Sequence, residues 1–125
     1  MVTLRGFLLT AWLIVMAIGI EAYHRNGMAA GETFMSDIQA LSWRAQFNLD
    51  FLAHLLLFGL WIAWRHHFKP AGLALGLACV LGGGAVSLAY LLCASLTIKG
   101  DVKALLLGEK RDEAIPSPPN KETSL

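Results

Sequence analysis

The stretch WRAQFNLDFLAHLLLFGLWIAW, residues 43–64, decides how the rest of the chain is read. As a helix rising about 1.5 Å per residue it is roughly 31 Å long, close to the hydrocarbon thickness of a bilayer. Tryptophan stands at both ends, the side chain that favours the boundary between membrane and water. Asp50 and His54 fall near the middle, four residues apart and therefore on one face. At 100° per residue, Trp43, Gln46, Asp50, His54, Leu57, Trp61 and Arg65 gather on one side of the wheel. A titratable pair at mid-bilayer depth is costly unless it faces a protein interior, so this stripe is expected to turn inward as one wall of a pocket.

Outward from this segment the chain supplies two more spans. Residues 6–24 are apolar, and no small-x-small cleavage site follows, so they are read as a first transmembrane helix and not a signal peptide. Residues 71–97 follow Pro70, which suits the first turn of a helix. Gly72, Gly76, Cys79, Gly83, Ser87, Tyr90 and Ala94 make one stripe of mostly small residues there, with Gly72 and Gly76 in a GxxxG spacing. Such a stripe lets another backbone approach closely, and helix packing is expected at Gly72, Gly76 and Gly83. Gly82-Gly83-Gly84 permits a kink, or a flat ligand against bare backbone. Before the second span, residues 28–34 read as a loop, and Ser36-Asp-Ile-Gln39 matches a capping box that would start a short interfacial helix. Residues 102–107 are compatible with a turn or two of amphipathic helix, and 99–125 as a whole reads as a charged, largely disordered tail. The expected fold is all-α: an integral membrane three-helix transmembrane bundle over residues 1–98.

Composition agrees. The 125 residues are 56% hydrophobic and 15% charged, against about 25% charged in an ordinary soluble domain. A net charge of +1 gives no field for nucleic acid. The two cysteines, Cys79 and Cys93, would be about 21 Å apart in a continuous helix and too far to bridge. Lys and Arg near the span ends divide into Arg5, Arg65 and Lys69 on one side and Arg25, Arg44, Lys99, Lys103, Lys110 and Arg111 on the other, a raw count that favours the tail side as cytoplasmic. The basic residue ahead of the first span favours the amino terminus inside.

Three chemistries are open. Asp50 and His54 could hydrogen-bond for packing, or act as an acid–base pair beside a lipophilic substrate. Gln46, Asp50, His54, Trp61, Gly83, Ser87 and Tyr90 are the candidate ligand-binding residues. Glu21 and His24, spaced i, i+3, resemble part of a di-iron site, but the chain lacks the further carboxylates, so no metal is expected. His54 with Trp61 seven residues on resembles the pigment-ligating helices of light-harvesting subunits, which would imply a pigment or haem at His54; no cofactor is otherwise expected.

The order of features also resembles an uncharacterised family of small bacterial three-helix membrane proteins, sometimes grouped with membrane-bound terpene cyclases. The residues that carry it are Phe34, Phe47-Asn48-Leu49-Asp50, Trp61 and Arg65, followed by a Gly/Ser-containing third span and a charged tail. The chain departs from that pattern at Tyr90, at His66, and in lacking a proline late in the third span. The resemblance implies the bacterial inner membrane and, by kinship to the cyclases, Asp50 as proton donor to an isoprenoid. From the residues themselves, the first expectation is a non-catalytic accessory or scaffold subunit, or a binder of a lipophilic molecule. Its expected partners are the bilayer and either further copies of the chain or a larger membrane complex. The alternative is an intramembrane enzyme.

Overall fold

A computed structural model describes residues 1–98 and 100–110. Those residues form α1 (Val2–Asn26), α2 (Ala30–Gln39), α3 (Trp43–Arg65), α4 (Pro70–Thr97) and α5 (Val102–Leu107), followed by a 3-10 turn over Gly108–Lys110. There is no strand among them. By residue count and composition alone, helices α1, α3 and α4 would each suffice to cross a membrane. α1 has no marked polar face along most of its length and buries only Leu8.

α4 is helical except at Gly83, where φ is 56° and ψ is −143°. Residues that carry a Cβ strongly disfavour that conformation, and glycine, which has none, accepts it. The contacts on either side show what the break does. Near its start, Gly72 packs on His66 and on the Ala63 carbonyl. Eighteen residues later, about 27 Å along a straight helix, the Tyr90 hydroxyl lies 3.0 Å from His66 Nε2. The chain therefore folds back. Its first arm, 70–82, runs up α3, and its second arm, 84–97, returns to the end from which α4 began. The expected crossing at 71–97 is a helix of that length, but it is a hairpin of two half-length arms and not one continuous rod.

The first arm reaches α3 through glycine. A Cβ on Gly76 would sit 2.6 Å from the Gly59 carbonyl oxygen, and one on Gly59 would sit 2.8 Å from Val80. These approaches are closer than any side chain permits, and they bring Ile62 and Cys79 to complete burial. The second arm is held by α1. Trp12 Nε1 donates to the Ala85 carbonyl at 2.9 Å, and Arg5 Nη2 donates to the Ser95 carbonyl at 2.6 Å and the Ile98 carbonyl at 3.1 Å. The guanidinium thus satisfies carbonyls that the end of α4 leaves without helical partners.

α2 replaces the expected loop and capping box. Ser36 lies inside the helix and donates to the Thr33 carbonyl at 2.9 Å instead of capping a new one. Asp37 ties α2 to α3 through Arg44 at 3.2 Å and Asn48 at 3.5 Å. α3 ends where His67 and Phe68 take positive φ: the Phe68 amide bonds the Ala63 carbonyl at 2.7 Å and the His67 amide bonds the Trp64 carbonyl at 3.0 Å. This Schellman pairing closes α3 without a glycine. Part of the segment expected as a loose tail is folded, since α5 and the turn after it pack on α3. The remainder of that expectation, 111–125, lies outside the described residues.

Candidate functional site

Because α4 turns back at its glycine tip, where Gly83 faces Phe51 and Gly84 faces Val15, it does not run on beside the last turns of α1 and the first turns of α3. α2 covers part of the vacated space. What remains is an open apolar groove of about 790 Å³, within the range of small-molecule sites. Val15, Gly19, Ile20 and Tyr23 of α1 form one wall, Phe51, Leu52 and Leu55 of α3 another, and Ala30, Gly31 and Phe34 of α2 a third. The hairpin tip, Gly82-Gly83-Gly84, makes the floor. Tyr23 supplies the only polar side chain of the lining, so the groove offers contact area and almost no chemistry. It suits an apolar chain or a flat lipophilic body.

The sequence-predicted residues do not converge on this groove. Asp50 and His54 do lie together, with His54 Nδ1 2.7 Å from the Asp50 carbonyl oxygen and 3.7 Å from Oδ1. Their side chains are 63% and 72% exposed. The expected inward stripe is therefore corrected: Trp43, Gln46, Asp50, His54 and Leu57 face away from α1 and α4. The inward face of α3 is the opposite one, carrying Ala45, Leu52, Gly59 and Ile62. Small residues decided this, because Gly59 and Ala63 let the first arm approach and Asp50 and His54 offer no such contact. Of the predicted ligand-binding residues, Gly83 alone lines the groove. Ser87 is occupied locally, donating to the Gly83 carbonyl at 2.8 Å.

Trp61 and Tyr90 belong to a second constellation at the other end of α3. Their rings meet edge to face at 6.4 Å, and the Arg65 guanidinium lies over both. Arg65, only 7% exposed, donates from Nε to the Leu105 carbonyl at 2.9 Å and from Nη1 to the Tyr90 hydroxyl at 2.5 Å. Tyr90 in turn reaches His66, whose Nδ1 is 3.4 Å from Glu109 Oε1. Lys69 Nζ donates to Glu109 Oε2 at 2.6 Å. The Lys69 ammonium first, and the His66 hydrogen bond second, hold the Glu109 carboxyl below the usual carboxylate range. This network joins α3 and the loop after it to the second arm of α4, to α5 and to the turn after α5, so the first thing it does is fasten the chain after the hairpin. Sequence reading missed it because its members are separated by 24 to 43 residues. The signal available was Arg65, a charge at the end of an apolar helix with Tyr90 on the facing stripe.

Glu21 pairs with Arg25 at 2.6 Å, and His24 meets the Tyr23 ring edge on. Among the described residues no group of three His, Cys, Asp or Glu side chains gathers as a metal site. Gly72 and Gly76 face α3. Both cysteines are free thiols, with Cys79 buried and Cys93 exposed.

Fold and site together define a small all-helical protein with three helices apolar enough for a bilayer, compatible with an integral membrane protein. Compared with models of known families, with curated proteins and with solved structures, the chain finds no match. The resemblance to the small bacterial three-helix family thus rests on the residues quoted for it.

Proposed function

We propose that this chain is a non-catalytic integral membrane protein of a bacterial inner membrane that holds a lipid chain or similar lipophilic molecule in the groove above the glycine tip. One observation carries the reading: a re-entrant hairpin leaves about 790 Å³ between α1, α2 and α3, walled by apolar side chains and floored by three glycines. A long apolar ligand fits such walls, and the bare backbone lets it lie close. α2 sits at the interface as the lid of the groove. The acid–base alternative draws nothing from this geometry, because Asp50 and His54 sit on another side of α3 from the groove.

The hairpin also bears on the proposed sidedness. It brings Lys103 and Lys110 to the end that holds Arg5, Arg65 and Lys69, leaving Arg25 and Arg44 at the other. The basic excess then lies with the amino terminus, which supports a cytoplasmic amino terminus.

The test is lipid retention. Gly19 lines the groove, and a Cβ there would meet nothing within 4 Å, so the Gly19→Leu side chain starts into the open groove. Native mass spectrometry of wild-type protein in mild detergent should show a bound lipid that Gly19→Leu loses. Equal retention by the two proteins rules the groove out as the binding site.

A further inference from the structure

Trp43, Phe47, Asp50, His54 and Leu57 are spaced four, three, four and three, the heptad spacing of a helix seam. All five are exposed, and at 100° per residue they lie on the side of α3 opposite its packed face. Below Trp61, which Tyr90 and Arg65 cover, the stripe is therefore an uncovered seam of aromatic and aliphatic residues with an ionisable pair at its centre. With α3 crossing the membrane, as the reading above requires, that pair would stand against lipid tails, where ionisable side chains are expensive and rare.

We propose that this seam is the contact between two copies of the chain, whose α3 helices lie in parallel about a two-fold axis along the membrane normal. The charges select a second copy over an unrelated partner. One stripe carries both an acidic acceptor and an imidazole one turn later, so a two-fold partner sets each His54 against the partner's Asp50, and two such pairs close. His54 Nδ1 lies 2.7 Å from the Asp50 carbonyl of its own helix, which can only accept, so Nδ1 carries a proton; in the imidazolium a second proton on Nε2 is free to be donated across to the partner's Asp50 carboxylate. In heptad packing a side chain fits among residues of the facing helix that include the preceding seam position, the relation of His54 to the partner's Asp50. Polar residues in such a seam fix register and the number of strands. An isologous contact of this kind is closed and stops at two.

The experiment is disulfide trapping in native membranes, using the full chain with Cys93→Ser so that only buried Cys79 remains. Leu57→Cys lies on the seam, and Leu49→Cys is also exposed but points about 120° away from the seam. Neither substitution touches the packed core. Mild oxidation should trap Leu57→Cys as a dimer of the chain and leave Leu49→Cys monomeric. Adding His54→Leu removes two interhelical hydrogen bonds per dimer and should lower the trapped fraction roughly tenfold at limiting expression. Equal trapping at both positions, trapping at neither, trapping of Leu57→Cys to a different protein, or indifference to His54→Leu each overturns the proposal. The groove lies on another side of α3, so lipid retention is unaffected by either outcome.

Discussion

Replacing Gly83 by alanine tests the hairpin at the atom where it is made. A Cβ at this position would meet Phe51 Cζ at 3.5 Å, an ordinary van der Waals contact, so space is not the difficulty. The backbone is: φ 56° with ψ −143° is territory that an L-residue occupies only with strain, about 1–3 kcal/mol. That cost is roughly a 5- to 150-fold loss in the ratio of folded to unfolded protein. Gly84→Ala is the matched control, one residue on. Its Cβ would lie 3.6 and 3.8 Å from the Val15 methyls, and its backbone is helical, so alanine should be neutral or gain up to about 1 kcal/mol from helix propensity. The assay is reversible unfolding of the two purified variants by a denaturing detergent in mixed micelles, followed by circular dichroism. Gly83→Ala should unfold at clearly lower denaturant than wild type and Gly84→Ala at the same level or higher. Equal behaviour of the two variants would refute the turn at Gly83.

Arg65→Met keeps the apolar stem but leaves the Leu105 carbonyl and Tyr90 hydroxyl without their donor. Two bonds from a charged donor, about 1.5–3 kcal/mol each, predict that α5 detaches, seen as faster tryptic cleavage after Lys103 and Lys110. The Glu109 contact depends on pH with a definite sign. Its carboxyl is held below the ordinary value of 4.5, so the anchoring is fully present above that pH and disappears as pH falls through the lowered value. Amide exchange in α5, corrected for its intrinsic pH dependence, should accelerate in that window in wild type, and Lys69→Ala should show the faster exchange already at neutral pH.

How much was legible in the sequence follows from what each feature depends on. The bounds of α3 were readable because they are set by hydropathy and terminal tryptophans, properties of one segment against one solvent. The start of α2 was misread, because Ser36-x-x-Gln39 matches a capping box yet the preceding Ala30 to Met35 is itself helical, and a residue inside a helix has nothing to cap. The triple glycine announced a kink, but its size was not readable. A straight helix and a hairpin share that sequence, and the choice is made by Tyr90 meeting His66 and by α1 holding the second arm. The orientation of Asp50 and His54 was unreadable for a related reason. A helical wheel says which residues share a face and is silent on which face finds a partner. The informative residues stood opposite: Ala45, Gly59 and Ala63, small enough for a neighbouring backbone. The groove is not encoded by its lining residues at all. It is the space a full-length third helix would have filled.

The reversal of α4 is tested most directly by asking from which face of the membrane three positions can be reached. Single cysteines at Thr3, Glu32 and Lys103, in a Cys93→Ser background, would be labelled with a membrane-impermeant maleimide in inside-out and right-side-out vesicles. Thr3→Cys and Lys103→Cys should react from one and the same face, and Glu32→Cys from the other. Reaction of Lys103→Cys together with Glu32→Cys, opposite to Thr3→Cys, would mean that α4 crosses straight through, and the hairpin and its groove would fall with that result.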